Sequence, residues 1–325
     1  MAEKKGIVMV EALNQALMQE MKRDSSVLIL GEDVGKDGGV FRVTEGLWQK
    51  FGDNRVIDTP LAESAIVGTS IGLAVSGLKP VAEIQFDGFL PPAFDQLTSH
   101  ATRIRTRSRG RFHSPIVLRV PYGGGIRALE HHSDSPEAYY AHMPGIKVVI
   151  PSHPYDAKGL LISAIRDPDP VIFLEPMRIY RAIKEEVPED DYTVPLGKAN
   201  IEQEGSDLTV ISYGAMLKYT KEALEKSKYS AEIIDVRSIS PLDTETIINS
   251  VKKTGRCVIV NEEQRNCGFA AEIIARINEK AFFSLEAPIE RVTGCNTAFP
   301  LAKLENYYMP DEKRILKAVD KVMGQ

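Results

Sequence analysis

The sequence predicts an α/β protein of two domains, each a mostly parallel sheet covered by helices on both faces. Three observations carry this expectation. Short, continuously apolar runs rich in Val, Ile and Leu alternate with segments of helical apolar spacing, the pattern of strands buried on both faces. The alternation breaks once, in the acidic stretch from Lys184 to Gly205, which has no sustained apolar period. The length, 325 residues, is enough for two hydrophobic cores. The expected boundaries are a first domain over 1–185, a connector over 186–204 and a smaller second domain over 205–325.

The elements of the first domain follow in order. Met9, Leu13, Ala16, Leu17 and Met21 recur at helical spacing. Val27–Leu30 reads as a buried strand ending at Gly31-Glu32-Asp33, and Arg55–Asp58 as a short extended run. Helices are expected over Ala62–Gly77, Pro92–Arg105 and Pro154–Arg166. Further strands are expected over Val81–Phe86, Pro115–Val120, Lys147–Ile150 and Val171–Leu174. In the second domain the order is strand Leu208–Ser212, helix Tyr219–Lys226, strand Ala231–Val236, helix Thr244–Lys253 and strand Cys257–Val260. Helix Ala270–Ala281 and strand Ile289–Val292 complete it.

Composition narrows the function. The chain is 43% hydrophobic and 26% charged with net charge −5, so it has no global attraction to nucleic acid or an anionic membrane. Its three cysteines, Cys257, Cys267 and Cys295, form no Cys-x-x-Cys pair. That argues against a disulfide framework or a zinc site and for a reducing, cytoplasmic setting. The segment Met1–Gly6 is charged and lacks the apolar stretch of a signal peptide. The apolar run after Glu63 is too short and too rich in Gly, Ser and Thr to span a membrane.

Glu63 is the most informative single residue. It follows Asp58-Thr59-Pro60-Leu61-Ala62 and opens the uncharged run Ala65–Gly77. An acid in a first helical turn is ordinarily explained by the helix dipole. A carboxyl entering a dry, apolar setting also has its pKa raised toward a range useful for proton transfer. Elsewhere the signals are weaker. Gly123-Gly124-Gly125 lacks the Lys and Ser/Thr of a P-loop, and no Gly-x-Gly-x-x-Gly opens either domain. The run Arg103, Arg105, Arg107, Arg109, Arg111 lacks interleaved aromatics and reads as a solvated helix end or a face for an acidic partner. Adjacent His131 and His132 are poor joint metal ligands, although one suits acid–base work. Gly68 and Gly72, one turn apart, suit a tight helix crossing, within the domain or between subunits.

Taken together, Asp58-Thr59-Pro60-Leu61-Ala62-Glu63, Glu83-Ile84-Gln85-Phe86, His132-Ser133-Asp134-Ser135-Pro136-Glu137-Ala138 and Pro144–Val149 resemble one family. It is the beta subunit of the thiamine-diphosphate-dependent decarboxylase component of 2-oxo acid dehydrogenase complexes. The resemblance runs from Gly31 to Pro300. It implies a transketolase-like pyrimidine-binding domain followed by a smaller transketolase C-terminal-like domain. It also implies oxidative decarboxylation of a 2-oxo acid, with reductive acylation of the lipoyl group on a dihydrolipoyl acyltransferase partner in a multienzyme complex.

The same resemblance implies residue roles. Glu63 matches the glutamate that bonds a pyrimidine ring nitrogen and activates the cofactor. Leu61, Gln85 and Phe89 match positions around that ring, and His132 matches the histidine that assists acyl transfer. A potassium site would draw on Ile116, Ala164, Ile165, Asp167 and Asp169, with Asp169 standing where Asn is more usual. The family holds the diphosphate through Mg²⁺ bound by a Gly-Asp-Gly segment. None occurs here, and Gly52-Asp53-Asn54 is only a fragment. The Mg²⁺ half-site is therefore expected on a separate alpha subunit, in an α2β2 heterotetramer.

Ser135–His142, Leu174–Ala182, Arg291–Cys295 and Pro91–Gln96 are more similar to the branched-chain enzymes, which act on substrates such as 3-methyl-2-oxobutanoate. Phe89, usually Tyr in those enzymes, dissents. The expectation is a branched-chain dehydrogenase, with a pyruvate dehydrogenase beta subunit as the alternative. A non-catalytic docking subunit is the alternative of another class.

Overall fold

The protein is described by a computed structural model, which covers residues 6–324. Of the segment Met1–Gly6 discussed above, all but Gly6 lies outside the described residues. The chain divides into two compact units. The first comprises residues 1–122 and 140–196, the second 123–139 and 197–325.

The first unit is built on the helices α1 (Met9–Arg23), α2 (Leu47–Phe51), α3 (Glu63–Val75), α4 (Ile104–Arg107), α5 (Glu137–Ala141, entering from the second unit) and α6 (Pro154–Arg166). Its strands are β1 (Val27–Gly31), β2 (Val56–Asp58), β3 (Lys79–Glu83), β4 (Val117–Tyr122), β5 (Lys147–Val149) and β6 (Val171–Pro176). They pair in parallel in the order β5-β6-β4-β3-β1-β2. β1, β4 and β6 are buried along their whole length, as a sheet covered on both faces requires. α1 and α6 pack against each other. Glu20, on the buried face of α1, is held by Arg166 of α6 at 2.6 Å.

The second unit holds β7 (Asn200–Gln203), β8 (Leu208–Ser212), α7 (Ala215–Leu224), β9 (Ala231–Asp235), β10 (Ser238–Ser240), α8 (Thr244–Thr254), β11 (Cys257–Gln264), α9 (Phe269–Ala281), β12 (Glu290–Gly294), α10 (Glu305–Tyr308) and α11 (Glu312–Val322). Its five-stranded sheet runs β12-β11-β8-β9-β7, parallel except for β7. α11 packs on α7 and β12.

Four expectations need correction. The helix expected over Pro92–Arg105 is a series of short turns with a π-helical turn at Gln96–His100. Ala93, Leu97 and Ala101 are buried every fourth residue, so the apolar spacing looks helical although the hydrogen bonding is not continuous. The connector is not free: residues up to Leu196 pack on the first unit and β7 joins the second. Val194 is buried, its N–H donates to Gly159 O at 3.1 Å, and a Cβ on Gly159 would meet Val194 Cγ2 at 2.5 Å. Glycine in α6 thus lets the strap lie against the helix. The segment 123–139 lies within the expected first domain, and by its contacts it groups with the second unit. β11 continues past Val260 through Asn261, Glu262 and Glu263, polar residues at which the apolar run of the sequence ends. Among the described residues no helix is long and apolar enough to cross a membrane.

Candidate active site

In open parallel sheets, ligands bind at the carboxyl ends of the strands. Glu63 lies at that end of the first sheet, five residues beyond β2, in the first turn of α3. Its side chain is 8% exposed. The helix has no side-chain cap, so its first N–H groups and dipole favour a carboxylate there. Glu32, just after β1, has its carboxyl raised above the ordinary value, first by burial and then by the negative charge of Glu63. Asp33 adopts a left-handed backbone, φ 57°, which short polar residues tolerate. Its Oδ2 accepts the amide of Gln85 at 3.1 Å. The β1 and β3 ends are adjacent, with Gly31 opposite Glu83.

Phe89 is half-buried and meets Phe86 edge to face at 5.9 Å. Leu61 is 77% exposed, an unusual state for a large apolar side chain beside a buried carboxylate. Glu63, Leu61, Gln85 and Phe89 therefore all sit at or just beyond the strand ends of the first unit. These strand ends thus carry an acid, an amide, an aromatic ring and an exposed apolar side chain.

His132 belongs to the second unit. It closes a single turn, Glu130–His132, is half-buried, and donates its N–H to Leu129 O at 3.0 Å. His131 is exposed. Beneath this segment lies a group of carboxyls that the sequence did not disclose: Glu137, Glu262 and Glu263, all buried. Burial pushes the Glu263 carboxyl up to about 7. Burial, then the charge of Glu263, raises Glu137 well above the ordinary range. A charged residue ending an apolar strand was the available signal, and its reach across more than a hundred residues was not.

The potassium set assembles in part. Ile116 O accepts from Val171 N at 2.9 Å and Ala164 O from Asp167 N at 3.2 Å, while Ile165 is buried in α6. The carboxylates are already paired. Asp167 binds Lys147 Nζ at 2.6 Å, and Asp169 binds Arg105 Nε at 2.7 Å. Hard cations take oxygen donors, and the backbone carbonyls of Ile116 and Ala164 are oxygens of this set not already held in ion pairs. Arg105 is accordingly an ion-pair residue; Arg103 bonds Thr98 O at 2.7 Å. The Gly52-Asp53 fragment is a turn whose Asp53 accepts the indole N–H of Trp48 at 2.6 Å.

Comparison with known proteins agrees with this geometry. The family described as "Transketolase, pyrimidine binding domain" matches residues 5–182, and "Transketolase, C-terminal domain" matches 197–315. The fold and site thus define a transketolase-like α/β protein. "Pyruvate dehydrogenase E1 component subunit beta" of Acholeplasma laidlawii is 54% identical over 97% of this chain and 98% of its own. The protein of the same name from Bacillus subtilis (strain 168) is 52% identical over 98% of both. The chain belongs to the transketolase-like family of E1 beta subunits of 2-oxo acid dehydrogenases. In fold it is also similar to the solved structure "Split gene transketolase, inactive beta4 tetramer", with TM-score 0.80 and 22% identity over 98% of each chain.

Proposed function

We propose that the chain is the beta subunit of a pyruvate dehydrogenase E1 component that works with thiamine diphosphate and a separate alpha subunit. The observation that carries the reading is Glu63, a nearly buried carboxylate at the strand ends of the first unit. Glu63 would hold a proton between its carboxyl and a pyrimidine ring nitrogen. Leu61 and Phe89 would cover the ring, and Gln85, steadied by Asp33, would offer its amide. Thiamine diphosphate, when bound, supplies the carbon nucleophile and the electron sink for loss of CO₂. The chain has no Gly-Asp-Gly, so the Mg²⁺ and diphosphate contacts are assigned to the alpha subunit in an α2β2 assembly. His132 is assigned to the second half-reaction, donating a proton as the acyl group passes to the lipoyl arm of the acyltransferase. The three free cysteines fit a cytoplasmic setting. A potassium ion, where bound, would draw on the backbone near Ile116 and the turn Ala164–Asp169.

For the substrate, the relatives' names favour pyruvate over the branched-chain reading. The physical reason for the earlier leaning is visible. Within Leu174–Ala182, Glu175 is fully buried against Arg119 and receives the Tyr180 hydroxyl at 2.6 Å. This stretch therefore serves the core of the first unit and carries no argument about the substrate side chain. Phe89, the dissenting residue, lies with the ring-binding group. The test is kcat/KM of the assembled enzyme with pyruvate, 3-methyl-2-oxobutanoate and 4-methyl-2-oxopentanoate. Pyruvate is expected to lead, since a pocket shaped for a methyl group excludes the bulkier side chains. A preference for both branched acids would restore the branched-chain assignment.

A further inference from the structure

His132 stands on a segment, Gly123 to Tyr139, that folds within the second unit. Two adjacent glutamates of β11 reach its two ends. Glu262 Oε2 accepts the N–H of Gly124 at 2.9 Å, and Glu263 Oε1 accepts the N–H of Ala138 at 3.0 Å. The second oxygen of Glu263 accepts the N–H of Phe269, the first residue of α9, at 2.5 Å. Between the ends, Glu305 accepts Arg127 N–H at 3.0 Å, and Gly123 N–H closes onto Asp134 O at 2.9 Å. Both glutamates are buried, at 3% and 5% exposure. β11 shifts register between Val260 and Gln264, which relaxes the strict alternation that would send neighbouring side chains to opposite faces. Gly123 has φ +85°, and a Cβ there would sit 2.9 Å from Glu262 Oε1. Glycine at this position therefore lets the segment reach the carboxylate.

We infer that Glu262 and Glu263 are positioning residues for His132, holding the two ends of its segment through the N–H groups of Gly124 and Ala138. The inference rests on the role proposed for His132. A buried N–H that loses its acceptor costs about 1–3 kcal/mol, and a histidine displaced by even ~1 Å loses much of its catalytic value. Glu263 uses both of its oxygens as acceptors. Glutamine has one acceptor and would turn its NH₂ toward the other N–H, so Glu263→Gln breaks one anchor while keeping the shape.

The test uses the assembled enzyme with Glu262→Met, which removes the acceptor of the Gly124 N–H at similar length, and Glu263→Gln. Hydrogen exchange read by mass spectrometry reports the peptide 123–139 without reference to activity. Exchange there should quicken about tenfold in each variant, the cost of roughly one such hydrogen bond. Single-turnover kinetics then give the ratio of lipoyl acylation to decarboxylation with an artificial acceptor. That ratio should fall about tenfold in Glu263→Gln. Asp243→Ala, which removes the N-cap bonds to Thr246 in the same unit, should lower the thermal midpoint and leave the ratio alone. Unchanged exchange over 123–139 overturns the inference. So does an unchanged ratio in Glu263→Gln while His132→Ala lowers it. If His132→Ala itself leaves the ratio unchanged, the role of His132 fails and exchange alone decides the anchoring. Should Glu263→Gln not assemble, Glu262→Met carries the same measurements.

Discussion

Arg119 grips Glu175 with two parallel bonds, Nε to Oε1 at 2.7 Å and Nη2 to Oε2 at 2.8 Å, and neither residue is exposed to solvent. They stand on the adjacent strands β4 and β6. The third nitrogen, Nη1, reaches Glu83 Oε2 at 2.6 Å, on β3 opposite Arg119 in register. One guanidinium thus ties three strands together, and its partner Glu83 stands two residues before Gln85. Burial leaves the Glu83 carboxyl above the ordinary value despite the arginine.

Removing that guanidinium should be among the most destabilising single changes. Arg119→Met leaves two buried carboxylates without their cation, a loss of about 3–5 kcal/mol. Urea unfolding of the isolated chain measures it. Adding Glu83→Gln and Glu175→Gln to Arg119→Met should recover part of the loss. A single mutant within about 1 kcal/mol of wild type, the range of exposed pairs, would show that the cluster does not hold the strands.

Glu63→Gln should assemble normally with the alpha subunit and lose turnover by ~10²–10⁴, the usual worth of an acid–base group. Glutamine preserves shape and hydrogen bonding but cannot share a proton with a ring nitrogen. The measurement is dye-coupled decarboxylation by the assembled enzyme. Turnover within a factor of about three of wild type is too small for an acid–base loss and would end the assignment.

Stability of the second unit should depend on pH through Glu263. Its folded value, about 7, lies above the ordinary 4.5, so the folded state holds the proton more tightly than the unfolded chain. The associated stability is present in full below the ordinary value and is lost as pH rises through about 7. Glu137, also raised, acts in the same direction. Urea midpoints between pH 5 and 8 should therefore fall for wild type and fall less for Glu263→Gln. Parallel curves for the two proteins would count against a proton held at Glu263.

Gly72 separates packing within the chain from packing between chains. A Cβ placed on it meets nothing within 4 Å among the described residues, while one on Gly68 meets the Gln96 side chain, with Oε1 at 3.5 Å. Gly72→Leu should therefore leave the thermal midpoint of the isolated chain nearly unchanged. If α3 is crossed by another subunit, the same bulk should weaken assembly by about 1–3 kcal/mol, an overpacking cost. Sedimentation of mixed subunits is the readout. Unaltered assembly would leave the glycine without an interface role.

The sequence alone determined the alternation of elements and singled out the candidate site residues. Pro154–Arg166 and Leu208–Ser212 fold over the residues expected, because a proline in the first helical turn and an uninterrupted apolar run are local signals. The Asp58–Glu63 motif was equally legible, since its residues are consecutive. Helix α11 also carried a local signal, Ile315, Ala318, Val319 and Val322 on one buried face, although its highly charged surroundings hid it. Tertiary structure alone decided where the buried charges go. Arg119, Glu83 and Glu175 lie on strands that read as apolar, and only pairing across the sheet supplies their partners. The anchoring of the His132 segment by Glu262 and Glu263 likewise spans more than a hundred residues. Local periodicity records which face of an element is buried; burying a charge depends on a partner that chain folding brings from elsewhere.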